Sequence, residues 1–93
     1  MNLNIGVKES DIESDACDFA KIRGWLEVKF VSPQLRGVMD RFFMRRGKVI
    51  FIEFKKPGEE PTMQQMHRMR EFRAHGGEVH WVDNLEDARR ILR

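Results

Sequence analysis

Apolar and polar positions along this chain change period several times, and each change marks an element. Ile12, Ala16, Phe19 and Ile22, with Ala20 at their edge, recur at helical spacing. They predict a first helix that Ser10 or Asp11 can cap and that runs to about Arg23, where Gly24 stops it. Trp25 to Val31 predicts a strand ended by Ser32-Pro33. Val38–Met44 and Val49–Lys55 are two apolar runs separated by Arg45-Arg46-Gly47-Lys48, which predicts a hairpin. Pro57-Gly58 forces a turn, and Pro61 with Thr62 opens a second helix carrying Met63, Met66, Met69 and Phe72. That helix ends near His75-Gly76-Gly77, Glu78–Val82 forms a short fourth strand, and Asn84 caps a last helix to Leu92. The order α-β-β-β-α-β-α predicts an α/β layer, a mixed sheet of about four strands flanked by helices. No repeat or linker divides it, so residues 1–93 are expected to form one domain.

The pattern breaks at one place. Val49-Ile50-Phe51-Ile52-Glu53-Phe54-Lys55 reads as a buried strand, yet it ends in a carboxylate and an ammonium. Strand side chains alternate, so Glu53 and Lys55 share a face, where burial is costly unless a counter-ion, metal or substrate compensates it. A two-residue loop at Arg46-Gly47 would pair Arg45 with Lys48 and, five steps back, Asp40 with Glu53. Directly opposed residues share a face with Cβ atoms about 5 Å apart, and two such carboxylates can chelate one hard divalent cation. A slip of one residue in register would separate them.

Composition narrows the classes. Hydrophobic residues make up 41% and charged residues 34%, as in a globular rather than a disordered chain. No apolar run approaches the roughly 20 residues that span a bilayer. Met1-Asn2-Leu3-Asn4 has neither the basic nor the apolar region of a signal peptide, so a cytoplasmic location is expected. Cys17 is alone and reads as a small buried helix residue. His67, His75 and His80 lack metal-ligand spacing and read as surface or packing residues.

The net charge of +2 is a weak signal, but its distribution is uneven. Lys29, Arg36, Arg41, Arg45, Arg46, Lys48, Lys55 and Lys56 fall in the sheet region, which would suit a polyanion; equally, they could keep a strand edge soluble. Glu9 and Asp11 are accounted for as first-turn acids favoured by the helix dipole. Glu13 stacks with Ala16, Cys17 and Ala20 and so flanks the buried face.

With these residues placed, the ordered set resembles the PD-(D/E)xK nuclease superfamily and, within it, the stand-alone VRR-NUC domains of phages and bacteria. The resemblance covers nearly the whole chain: the Ile12-Glu13 helix leading to Gly24, Lys29-Phe30-Val31-Ser32-Pro33, Arg36-Gly37-Val38-Met39-Asp40-Arg41, Glu53-Phe54-Lys55-Lys56-Pro57-Gly58, and Pro61 to Gln65. Met39 stands where the family usually has proline, a position that contributes no ligand. The resemblance implies a restriction-endonuclease-like core and a metal-dependent endonuclease. Asp40, Glu53 and the Phe54 carbonyl would hold one or two Mg²⁺ or Mn²⁺ ions per active site, hard cations that suit oxygen ligands. Lys55 would polarise the attacking water and offset charge on the phosphate, Glu13 (preferred to Glu9) would be the acid of the first helix that binds a second metal directly or through water, and Gln65 would steady Lys55 or the scissile phosphate. Lys29, Ser32, Arg36, Arg41 and Lys56 would contact the DNA backbone. The expected substrate is structured DNA, four-way (Holliday) junctions in particular, cut by a homodimer in the cytoplasm, or in the host cytoplasm if the chain is phage-encoded. A reading from another class is a nuclease-fold module that binds DNA or a replication protein without cutting. For Asp40, Glu53 and Lys55 the alternative, less favoured than a metal site, is a structural ion-pair network.

Overall fold

In the computed structural model, which describes residues 6–93, the chain forms α1 (Glu9–Ile22), β1 (Leu26–Lys29), β2 (Arg41–Arg45), β3 (Lys48–Phe54), α2 (Met63–Ala74), β4 (Glu78–Val82) and α3 (Leu85–Ile91). The expectation placed on Met1–Asn4 lies outside the described residues. The four strands lie in sequence order in one sheet, antiparallel from β1 to β3 and parallel between β3 and β4. The predicted element order and mixed sheet are therefore observed.

The β2–β3 hairpin fixes the site. Arg46 and Gly47 both adopt positive φ, 51° and 81°, the pairing of a type I′ turn whose twist matches that of the strands. Arg45 pairs with Lys48 and Arg41 with Ile52, so Asp40, one residue before β2, arrives opposite Glu53 as the turn predicted. Beyond the strand, the Asp40 carbonyl still accepts from the Phe30 N–H at 2.9 Å.

Two layers cover the sheet. On one face Ile12, Ala16, Cys17 and Ala20 of α1 and Ala88 and Leu92 near the carboxyl end pack on Trp25, Phe43, Ile50, Ile52, Phe54 and Val82. On the other, Met69 of α2 meets Met39 and Val79 among half-buried Phe30, Phe51, Phe72 and Trp81. The stripe of α1 is turned slightly from the expected one: Ala20 is fully buried while Ile22 is 84% exposed, because small residues let the helix approach the sheet closely along Ile12, Ala16 and Ala20. Met63 likewise stands in solvent in the first turn of α2 rather than in the core.

Helix ends are set by local hydrogen bonds. Thr62 Oγ1 accepts the Gln65 N–H at 3.1 Å while Gln65 Oε1 accepts the Thr62 N–H at 2.9 Å, a reciprocal cap. Asn84 caps α3 by accepting from the Asp87 N–H at 2.8 Å. The α1 helix begins earlier than Ser10, with Lys8 as its cap residue and the Asp11 carboxylate accepting the Lys8 N–H at 3.1 Å. Gly37, at φ 77°, presses against α2, where a Cβ would lie 3.1 Å from the Gln64 carbonyl oxygen. The loop before Asp40 is thereby held against the start of the helix that carries Gln65.

Candidate active site

Asp40, Glu53, Lys55 and Gln65 come together where β2 starts and β3 ends, beside the start of α2. Asp40 Oδ2 accepts the Phe54 N–H at 2.8 Å, which fixes its carboxylate across the strand end. Glu53 is only 3% exposed, and its Oε2 accepts from Gln65 Nε2 at 3.1 Å and lies 3.4 Å from Lys55 Nζ. The reciprocal cap explains the Gln65 contact: with Oε1 held by the Thr62 N–H, its amide nitrogen is directed at Glu53. Gln65 thus steadies the carboxylate, whereas the expectation had it on Lys55 or the phosphate.

The first helix supplies a different acid from the one expected. Ligand oxygens of Glu9, Asp40 and Glu53 all lie within 4.8 Å of one another, one such group of metal-type side chains among the described residues. Glu13, placed at the site by the sequence, instead meets Arg41 Nε at 2.6 Å. Its carboxylate is occupied by that guanidinium, and Glu9, one turn earlier, reaches Asp40. The early start of α1 makes this possible, since it brings residue 9 into the first turn, at the mouth of the site.

The three carboxylates are all harder to ionise than usual. Burial, with the nearby Asp40 charge adding to it and Lys55 opposing, pushes Glu53 up to about 8. Asp40 is also raised, chiefly by burial, despite the Phe54 N–H that favours its ionised form. Glu9 is raised by burial and then by Asp40. Three carboxylates held in mutual repulsion are what a hard divalent ion would relieve, so the donor set fits Mg²⁺ or Mn²⁺. Extended backbone directs a residue's N–H and C=O to the same side, which aims the Phe54 carbonyl toward the Asp40 edge as well.

Glu59 was not foreseen. It sits in the turn after Lys55, with Oε1 3.8 Å from Lys55 Nζ and Oε2 3.6 Å from Lys56 Nζ. Its place in Pro57-Gly58-Glu59-Glu60-Pro61 gave no periodicity to read.

The residues expected to contact DNA divide. Lys29, Arg36 and Lys56 are exposed. Ser32 accepts the Leu35 N–H at 3.2 Å within its own loop. Arg41 donates through Nε to Glu13 and through Nη1 to Glu27, both at 2.6 Å, so these two nitrogens are engaged within the fold. Arg45 is similarly engaged, stacked 4.1 Å over Trp25 and bonded to two backbone carbonyls. Cys17 is buried, and burial raises its thiol to about 11, in keeping with a packing role.

A phage protein named "Putative nuclease p44", from Acyrthosiphon pisum secondary endosymbiont phage 1, is 38% identical to this chain over 81 residues, covering 86% of it and 87% of the phage protein. The chain belongs to the VRR-NUC nuclease family. A solved VRR_NUC domain superposes on this one with a TM-score of 0.83 over 92% of the chain and 95% of its own, at 23% identity, and so shares its fold. No protein-family model matches the chain. In this chain the acids that lie together at the open end of the β2–β3 hairpin are Asp40 and Glu53, with Glu9 of α1 beside them.

Proposed function

We propose that this VRR-NUC protein is an endonuclease that hydrolyses phosphodiester bonds in structured DNA with Mg²⁺ or Mn²⁺. The supporting observation is the cluster of Glu9, Asp40 and Glu53 oxygens beside the buried ammonium of Lys55. Glu9, Asp40 and Glu53, with the Phe54 carbonyl, would hold one or two ions. Bound there, a divalent ion neutralises phosphate charge and makes water acidic enough to yield a nucleophile near neutral pH.

The chain's own groups do the rest. Lys55, whose Nζ lies 3.4 Å from Glu53, would offer its ammonium to the non-bridging phosphate oxygens and to the charge that builds on them. Its side chain is 8% exposed, so it acts in a poorly solvated setting where that charge counts for more. Gln65 holds the Glu53 carboxylate, and the Thr62 cap holds Gln65. Exposed Lys29, Arg36 and Lys56 contact backbone phosphates without reading sequence.

Four-way junctions cut by a homodimer are the finer part of the proposal. A domain of 93 residues offers little surface to a branched substrate, and a two-fold pair would present two sites to two symmetry-related strands. The exposed side chains of Leu26 and Met44, on neighbouring strands, favour such pairing. No described helix is long and apolar enough to cross a membrane, and the cytoplasm, where DNA and Mg²⁺ are both present, is the proposed location.

The test is a panel of branched, flapped, single-stranded and linear duplex DNA incubated in Mg²⁺, Mn²⁺ or EDTA. Metal-dependent internal cleavage with preference for the branched substrate is expected. Binding without cleavage on every substrate would instead favour the non-cutting module.

A further inference from the structure

The Glu13–Arg41–Glu27 cluster is the strongest polar link between the first helix and the sheet that the site itself does not use. Arg41 presents Nε to Glu13 and Nη1 to Glu27, both at 2.6 Å, with the three side chains only 16–22% exposed. Lys21, also on α1, lies 3.4 Å from the other oxygen of Glu27. Both ends of this network adjoin the metal-type trio. Arg41 follows Asp40 directly, and successive strand residues point to opposite faces, so Arg41 reaches α1 while Asp40 faces the site. Glu13 lies one helical turn, about 6 Å along the axis, from Glu9. The apolar contacts of α1, made by Ile12, Ala16, Cys17 and Ala20 with Phe19 beside them, are non-directional, so the charged hydrogen bonds of Arg41 add a fixed geometry that they lack.

From this placement we infer that Arg41 is a brace that holds α1 at the height where Glu9 meets Asp40, and that Glu13 is a positioning residue for the metal site rather than a ligand. The inference rests on the metal reading of the trio. Arginine suits the role because its planar fork grips two carboxylates at fixed angles, which a lysine ammonium does not. Removing partners that orient a ligand typically costs about 10–100-fold in metal affinity.

Mn²⁺ titrated into the DNA-free protein, followed by calorimetry, tests the idea. A purely electrostatic influence would weaken Mn²⁺ binding in Glu13→Gln and strengthen it in Arg41→Gln, which removes a positive charge. A brace weakens it in both, by about 10–100-fold, and the double variant is no worse than the weaker single one. Arg41→Lys, which keeps the charge and is the milder change should Arg41→Gln fold poorly, is expected to lose part of the affinity. Amide shifts on adding diamagnetic Mg²⁺ give a structural readout: in Glu13→Gln and Arg41→Lys they should fade around Glu9 and persist at Glu53 and Phe54. Wild-type affinity in Arg41→Lys, tighter binding in Arg41→Gln, or a further loss on adding Glu13→Gln to an Arg41 variant would overturn the brace. Failure of the wild-type protein to bind Mn²⁺ would instead overturn the metal reading beneath it.

Discussion

Glu53 carries the largest electrostatic cost among the site side chains, and that cost is measurable. Its folded pKa, pushed to about 8 by burial and by Asp40, lies above its ordinary value of 4.5. The metal-free fold therefore favours protonated Glu53, and that contribution is lost as pH rises from about 4.5 through about 8, with a slope of up to about 1.4 kcal/mol per pH unit. Asp40 and Glu9, also raised, act in the same direction. Glu27 and Glu78, lowered by hydrogen bonds to Arg41 and to His80, weaken the fold only at more acid pH. Melting in EDTA should therefore fall between pH 5 and pH 8, Mg²⁺ should restore it, and Glu53→Gln should flatten the profile; a flat wild-type profile in EDTA would contradict the assignment. At Lys55, replacement by alanine should lower single-turnover cleavage by about 10²–10³-fold, the scale of losing one charge-stabilising donor. Calorimetry should find Mn²⁺ binding retained in that variant, because an ammonium is not a ligand. Loss of binding would mean that Lys55 shapes the site rather than acting on the phosphate.

Among the elements, the hairpin and α2 govern how the site is assembled. The Thr62 hydroxyl caps α2 while its backbone N–H holds Gln65, so Thr62→Ala should cost about 1 kcal/mol in denaturant unfolding and leave cleavage near wild type, because that N–H remains. Loss of cleavage in the folded variant would show that the hydroxyl, too, is needed to place Gln65 on Glu53. The approach of Asp40 to Glu53 was legible in the sequence because a two-residue turn ties register to residue number, and Lys55 follows from strand alternation; Gln65 lies on another element and was placed by the resemblance. Glu9 was not legible. The usual amino-terminal signals point to Ser10 and Asp11, whereas α1 starts behind Lys8, whose side chain cannot accept a capping bond; the backbone is satisfied instead by Asp11 reaching back to the Lys8 N–H. The ion pairs of Arg41 were not legible for a related reason. Strand alternation puts it on the α1 face, but the two carboxylates that receive it come from residues 28 and 14 positions away, pairings that no local pattern encodes.

Across the whole molecule, charge is nearly balanced, so DNA is expected to be held by a few exposed cations rather than by a broad field. Replacing Lys29, Arg36 and Lys56 together by glutamine should weaken binding to all DNA sequences alike and flatten its salt dependence, by about 0.9 in log–log slope for each duplex phosphate no longer neutralised. Fluorescence anisotropy at several salt concentrations measures this, and an unchanged slope would place the DNA on another face. The Arg41 brace, the Thr62 cap and the hairpin turn all converge on one structure, the Glu9–Asp40–Glu53 cluster. The most direct measurement is the cleavage rate of a labelled four-way junction against free Mn²⁺, beside a binding isotherm, for the wild-type protein and Asp40→Asn. Cleavage should rise with occupancy of the site and vanish in EDTA, and Asp40→Asn should lose both metal binding and cutting. Cutting in EDTA, or wild-type cutting by Asp40→Asn, would contradict the account.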